Sequence, residues 1–277
     1  MLDLHSAALH WRASGRSAVV VEVTSVRGSV PRAAGTRMLV AADEVLGTIG
    51  GGHLELKAIA DARALLLRGG VAEGAGGGGA DIAEQHIALG PSLGQCCGGA
   101  LTLAFTPLLL AAPERWSAPE PRFTLQLYGA GHVGRAIVAL LAGIACRVRW
   151  IDERESEFPT GPLPAHIERI CVEPVYAEVA LAPPGAYYLV LTHSHDLDMA
   201  LAQAILQRGD FRFFGLIGSK TKRARFERRL RERGYGATLI ERMVCPIGLP
   251  GIEGKEPEVI AVAVVAQLLA LESRRVV

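Results

Sequence analysis

The segment FTLQLYGAGHVGRAIVALLAGIACRVRWIDE, residues 123–153, holds the densest chemical pattern in the chain. Gly129, Gly131 and Gly134 form a G-x-G-x-x-G run between a β-patterned stretch and a helical one. Asp152 closes the next β-patterned stretch, 23 residues past the first glycine. Glycines so spaced provide a tight turn, a close backbone approach to a phosphate, and close packing of helix on sheet. The anion then rests on free amides at the helix N-terminus, and a carboxylate at the second strand end suits ribose hydroxyls. The pattern predicts a phosphate-bearing ligand and does not by itself specify hydride transfer. Farther on, THSHDLD (192–198) sets His193, His195, Asp196 and Asp198 at the end of another strand, the edge where parallel sheets bind ligands. Asp196 is expected to N-cap the following helix, with the histidines facing ligand. The alternative is metal ligation by the imidazoles and carboxylates, which is the chemistry of a hydrolase. Gly218, Ser219 and Lys220 repeat the strand-to-helix anion logic.

The first part of the chain contributes three Gly-rich loops, RGSVPRAAGTRM (27–38), GTIGGGHLE (47–55) and GQCCGG (94–99). Gly50, Gly51 and Gly52 precede a helix and leave backbone amides to cradle an anion, with His53 and Glu55 near the first turn. Arg27, Arg32 and Arg37 surround a proline-fixed turn and suit phosphate or carboxylate recognition. Cys96 and Cys97 form a vicinal pair beside Gln95. Their thiolates fit molybdenum, copper or sulfur chemistry better than magnesium or calcium; the plain alternative is a small buried hydrophobe.

Positioning these residues requires strands at 18–24, 36–41, 45–49 and 100–105 and a helix at 54–68 in the first part. After the proline-rich stretch AAPERWSAPEPR, strands at 123–128, 147–151, 167–172, 187–192 and 211–217 alternate with helices at 134–143 and 196–208. The expected architecture is therefore α/β. A smaller mixed α/β domain (1–110) and a linker (111–122) precede a Rossmann-like, doubly wound parallel sheet (123–277). The length of 277 residues accommodates two domains, and a net charge of +1 argues against a surface adapted to nucleic acid or to an acidic membrane. Positive charge is concentrated in KTKRARFERRLRER, residues 220–233, where eight basic residues against two acidic ones leave +6. A solvated helical face is the plain explanation of such a run and a docking surface for an acidic protein partner the sharper one; with Phe226 its sole aromatic, the helix suits nucleic acid less well. The five cysteines do not amount to a disulfide scaffold. The N-terminus lacks a signal-peptide pattern, and the apolar runs 101–112 and 259–271 are too short to span a bilayer, so cytoplasm is the expected location.

Taken together, RGSVPRAAGTRM, GTIGGGHLE, GQCCGGALTL, LYGAGHVGRA, THSHDLDMALA, GLIGSKTKRARF and CPIGLPGIEGKEPEVIAVAVVAQLL resemble the XdhC/CoxI family, accessory proteins of molybdenum hydroxylases of the xanthine dehydrogenase type. The likeness runs from about residue 15 to 270, with one departure at IEGKEP around Lys255. The resemblance implies a chaperone rather than a redox enzyme. Such a protein binds the molybdenum cofactor (molybdopterin) as cargo, supports its sulfuration with a cysteine desulfurase, and delivers it to the large subunit of a xanthine dehydrogenase. A homodimer is also implied. On this reading the metal end belongs to Gln95, Cys96 and Cys97 and the phosphate end to Gly129–Gly134. Arg32, Gly50, Gly51, His53, Glu55, Asp152, His193, His195, Gly218, Ser219 and Lys220 are further cofactor-binding candidates, and no residue is assigned a catalytic role. NAD(P) or another nucleotide at the Rossmann site, with oxidoreductase activity, is the alternative, as is a metal-dependent hydrolase at His193 and His195.

Overall fold

The computed structural model describes residues 4–68, 83–89, 98–116 and 120–273, and the chain divides into two units, residues 1–118 and 119–277. The N-terminal unit is an antiparallel sheet of β1 (Ala18–Arg27), β2 (Arg37–Ala41), β3 (Val45–Gly47), β4 (Ala83–Ala88) and β5 (Ala100–Pro107), in the order β3-β2-β1-β5-β4. Period-two alternation divides its side chains between two faces. Val19, Val21, Val23, Leu101, Leu103 and Phe105 meet Leu54, Ala58 and Ala62 of α2 (Gly52–Leu67). Val20 and Leu39 on the opposite face meet Ala7, Ala8 and Trp11 of α1 (Leu4–Ala13). Neither α1 nor β4 is evident in the sequence pattern. The strand β4 (AEQHIA) is weakly apolar and is held by its antiparallel register on β5, from Ala83↔Phe105 to Ala88↔Ala100. Within the proline-rich stretch, Pro113–Arg115 forms a 3-10 turn.

The C-terminal unit is an all-parallel sheet of β6 (Thr124–Tyr128), β7 (Arg147–Asp152), β8 (Ile167–Cys171), β9 (Tyr187–Val190), β10 (Phe213–Leu216) and β11 (Met243–Val244), in the order β11-β10-β9-β6-β7-β8. On one face lie α3 (His132–Leu141) and α7 (Pro257–Ser273), which bury Ile137, Leu141, Val264 and Leu268 against Leu125, Leu127, Trp150 and Leu189. The other face is covered by α4 (His195–Arg208), α5 (Lys220–Glu232) and α6 (Ala237–Glu241), through Leu201, Ile205, Phe226, Leu230 and Ile240. Helices on both faces of a parallel sheet make this the doubly wound Rossmann arrangement. Apolar on nearly every side, α7 serves as a core helix. Among the described residues no helix is long and apolar enough to cross a membrane.

The chain runs outward from β6 to β7 and β8, then returns to β9 on the other side of β6. Strand order thus reverses between β6 and β9, and ligands of open α/β sheets bind in the crevice beyond the carboxyl ends of such strands. The glycine run leaves β6 at this edge, and the THSHDLD segment leaves β9 beside it.

Candidate functional site

The three glycines of the fingerprint meet three different physical demands. Gly129 sits at φ +121, and a Cβ there would lie 2.3 Å from the carbonyl oxygen of Leu191. Gly134 lies under the turn, where a Cβ would be 2.1 Å from the carbonyl oxygen of Gly129. That carbonyl cannot swing away, because it accepts the indole N–H of Trp150 at 3.0 Å. Gly131 differs from both. Its φ of −67 is open to any residue, and a Cβ there would meet nothing within 4 Å. It N-caps α3, two residues earlier than the sequence pattern suggests, and no side chain caps that helix. The first-turn amides thus have neither an intrahelical acceptor nor a side-chain cap.

Asp152 stands at the end of β7, 4% exposed. Its Oδ2 accepts the Ala130 amide of the glycine turn at 2.7 Å and Nη2 of Arg154 at 2.9 Å. Its Oδ1 accepts the Arg154 amide at 2.9 Å and Nε at 3.0 Å. Burial pushes the Asp152 carboxyl up. The Arg154 guanidinium, with the amides of Ala130 and Arg154, outweighs burial and holds it below the usual carboxylate range. Arg154 also lies 3.5 Å from Glu157, whose backbone carbonyl accepts Arg135 at 3.0 Å. Across the crevice Nε2 of His193 is 3.6 Å from Glu153, and both line a small cleft with Gly129, Asp152 and Thr192.

The THSHDLD segment is arranged differently from expectation. Ser194, not Asp196, caps α4, its hydroxyl accepting the Leu197 amide. Serine sits one residue before the helix, where an extended backbone turns its oxygen onto the first-turn amides. Asp196 falls in the first turn, exposed, 3.8 Å from Arg229. Asp198 is fully buried. It accepts the Thr192 amide (3.2 Å) and hydroxyl (2.7 Å) and forms an ion pair with Lys222 at 2.6 Å. Lys222 also donates to the Ile217 carbonyl at 2.7 Å. Asp198 thus joins the ends of β9 and β10 to α4 and α5 and is not available beside the exposed His193 and His195. Among the described residues no group of three or more His, Cys, Asp or Glu is placed to hold a metal ion.

At Gly218-Ser219-Lys220, Ser219 caps α5 by accepting the Lys222 amide at 3.2 Å, and Lys220 is exposed at the first helical position. The basic helix is less bare than its composition suggests. Lys222 is taken by Asp198, Arg223 and Arg231 by Glu227, Arg228 by Glu232, and Arg229 by Asp196. Lys220, Arg225 and Arg233 remain exposed without an ion pair among the described residues. Phe226 is buried beneath the helix, its ring against Lys222.

In the N-terminal unit the three Gly-rich loops converge. A Cβ on Gly50 would strike Pro31 at 2.6 Å, and one on Gly99 would strike the carbonyl oxygens of Ser29 and Arg27 at 2.3 and 2.6 Å. The Gly50-Gly51-Gly52 turn is already filled by an anion, the carboxylate of Glu55. That group accepts the Ile49 and Gly51 amides, each at 3.0 Å, and the Thr48 hydroxyl. Burial raises the Glu55 carboxyl, but the Thr48 hydroxyl and the amides of Gly51, Ile49 and Gly50 hold it below its ordinary value. Arg37 is likewise engaged, bidentate on Glu22 at 2.8 and 3.0 Å. Arg27, Arg32 and His53 are exposed at this end. Gln95, Cys96 and Cys97, which precede Gly98 in the sequence, lie outside the described residues.

Sequence reasoning passed over Arg154, which saturates Asp152, and Lys222, which it counted as surface charge. Arg154 had a signal, since it follows the strand-end carboxylate by two residues; the Asp198–Lys222 pairing had none.

Comparison with known proteins bears on both units. A family profile described as the XdhC Rossmann domain matches residues 125–268, and a profile of the XdhC and CoxI family matches residues 11–73. The uncharacterized protein YqeB of Escherichia coli (strain K12) is 31% identical over 270 residues. The match takes in 92% of this chain and 43% of YqeB, so the chain spans less than half the length of that relative. A Bacillus halodurans protein whose crystal structure bears the name xanthine dehydrogenase superposes with a TM-score of 0.72 at 18% identity, over 99% of this chain and 96% of that one. That last likeness is one of fold.

Proposed function

This chain belongs to the XdhC and CoxI family, and on that premise we propose that it is an accessory protein of a xanthine dehydrogenase-type molybdenum hydroxylase. It holds the molybdenum cofactor as cargo, supports its sulfuration with a cysteine desulfurase, and delivers it to the large subunit of the dehydrogenase. The observation that carries the reading is Gly131. Neither its backbone conformation nor its packing requires a glycine, yet it stands between two positions that do, at the reversal point of the sheet, under uncapped helix amides. A glycine at a position whose conformation and packing would admit a side chain is best explained by the close approach of a ligand phosphate, and molybdopterin carries one.

The metal–sulfur end is assigned to Cys96 and Cys97 with Gln95. Support comes from the convergence of the loops around Arg27, Arg32 and Gly99, which supplies exposed cations beside the Gly98-Gly99 exit of that segment. A thiolate is both the soft metal ligand and the sulfur nucleophile, and a positive surrounding favours it. The protein acts in the cytoplasm, as a homodimer.

The test is purification of the full chain from cells that make molybdenum cofactor, followed by assay of bound pterin and molybdenum. Stoichiometric pterin in the parent, lost in Gly131→Val, is expected. Loss of molybdenum with pterin retained is expected in the double Cys96→Ser, Cys97→Ser variant. Equal pterin in the parent and Gly131→Val refutes the assignment of the turn.

A further inference from the structure

In a nucleoside-binding Rossmann unit, the carboxylate at the end of the second strand offers its oxygens to the ribose diol. A carboxylate has about four lone-pair positions. In Asp152 all four are spent, two on the Arg154 side chain, one on the Arg154 amide and one on the Ala130 amide, at 2.7 to 3.0 Å. A diol reaches this carboxylate only by evicting a guanidinium that grips both of its oxygens. The guanidinium is braced from the other side by Glu157 at 3.5 Å, and Glu157 is itself held by Arg135 at 3.4 Å. Nor is Arg154 waiting for a phosphate on the ribose. Its charge is met by Asp152 and Glu157, and Glu153 and Glu155 lie in the same segment. Gly131 stands in contrast: a Cβ there would meet nothing within 4 Å.

We propose, resting on the reading that the glycine turn holds a phosphate, that Arg154 locks this Rossmann unit against nucleosides. The turn accepts a phosphate ester whose organic part is not a ribose. Arg154 is the specificity-determining residue, and Asp152 is a positioning residue that ties it to the turn through Ala130. The G-x-G-x-x-G run with Asp152 therefore keeps the outline of a dinucleotide fingerprint while its ribose arm is turned inward.

The experiment is calorimetric titration of the full chain with ADP and with 2′-deoxy-ADP, which differ only in the diol. The parent is expected to treat the two alike. Arg154→Ala, which frees two carboxylate positions, is expected to bind ADP at least tenfold more tightly than the parent does, and at least tenfold more tightly than it binds 2′-deoxy-ADP. Adding Gly131→Val to Arg154→Ala abolishes the gain. Arg154→Gln, which removes the guanidinium with less change of volume, is measured beside it and is expected to show the same preference for the diol. A parent that already prefers ADP tenfold, or two Arg154 variants that melt like the parent and gain nothing, overturns the lock. Failure of the underlying reading has a different signature: a gain for ADP that survives Gly131→Val removes the phosphate from the turn, and the lock with it.

Discussion

Replacing each fingerprint glycine by alanine separates the demands of the fold from those of the ligand. In Gly134→Ala the new methyl lies 2.1 Å from the Gly129 carbonyl oxygen, which Trp150 holds in place through a 3.0 Å hydrogen bond. Relief requires moving α3 off the sheet or breaking the indole bond. Overpacking against a fixed backbone costs about 3 kcal/mol, the upper end of the usual range. For a unit the size of residues 119–277 this corresponds to a Tm lowered by roughly 6–12 °C. Gly129→Ala combines a 2.3 Å contact to the Leu191 carbonyl with a φ of +121, and a loss of about 3 kcal/mol or more is expected. Gly131→Ala adds a methyl to open space at φ −67. The unfolded chain loses entropy, a gain of about 0.4–1 kcal/mol, while the helix loses a favourable N-cap residue at a similar cost. The net effect on stability is within about 1 kcal/mol. Thermal melts of the three variants, read beside bound pterin, check the ordering: Gly131→Ala melts with the parent but carries less cargo. A Gly131→Ala melt depressed as far as that of Gly134→Ala, or a Gly134→Ala melt equal to the parent's, refutes the division of roles.

Lys222→Met leaves the fully buried Asp198 with its two Thr192 bonds but without its cation, and is expected to cost about 3 kcal/mol by denaturant unfolding. Adding Asp198→Asn, which removes the uncompensated charge, should restore more than half of that. Asp152 and Glu55 both have carboxyls held below their ordinary values in the folded chain. Their stabilisation is therefore complete above the ordinary carboxylate range, about pH 4, and is lost as pH falls through the lowered values. Unfolding midpoints measured from pH 7 to pH 2.5 should fall on the acid side, and more gently in Glu55→Gln than in the parent. If α5 docks an acidic partner, its unpaired cations carry the contact. Reversing Arg225 and Arg233 to Glu should slow association with the dehydrogenase subunit in stopped-flow at low salt and leave the rate unchanged at 1 M salt, where the Debye length is about a third of its value at 0.1 M.

The doubly wound C-terminal sheet was legible because its signals are local. The strands β9 and β10 are short apolar runs, α3 carries its own apolar stripe, and the glycines announce a turn whose geometry depends on a few neighbouring residues. Even there the ends moved: α3 begins at His132 because Gly131 caps it, and the strand read through 192 stops at Val190 because Thr192 turns its hydroxyl onto Asp198. β4 was illegible for the opposite reason, since a weakly apolar AEQHIA becomes a strand only by pairing with β5.

The chemistry of the polar residues followed another rule. Glycine, proline and apolar periodicity act on the backbone within a few residues, so residue type and spacing carry their meaning directly. A carboxylate or a cation is defined by the group that reaches it, and that group arrives from another segment or turns back from its own. Glu55 was read as a residue near an anion site and is itself the anion in the Gly50–Gly52 turn. Asp152 was read as a free hand for ribose and is held by Arg154 and Ala130. Asp198, a metal ligand only in the alternative reading, and Lys222, read as surface charge, neutralise each other 24 residues apart in the chain. In each case the strand crossovers and loop contacts set which oxygens remain free, because a hydrogen-bonding position already taken at 3 Å is closed to a ligand however suitable its residue type.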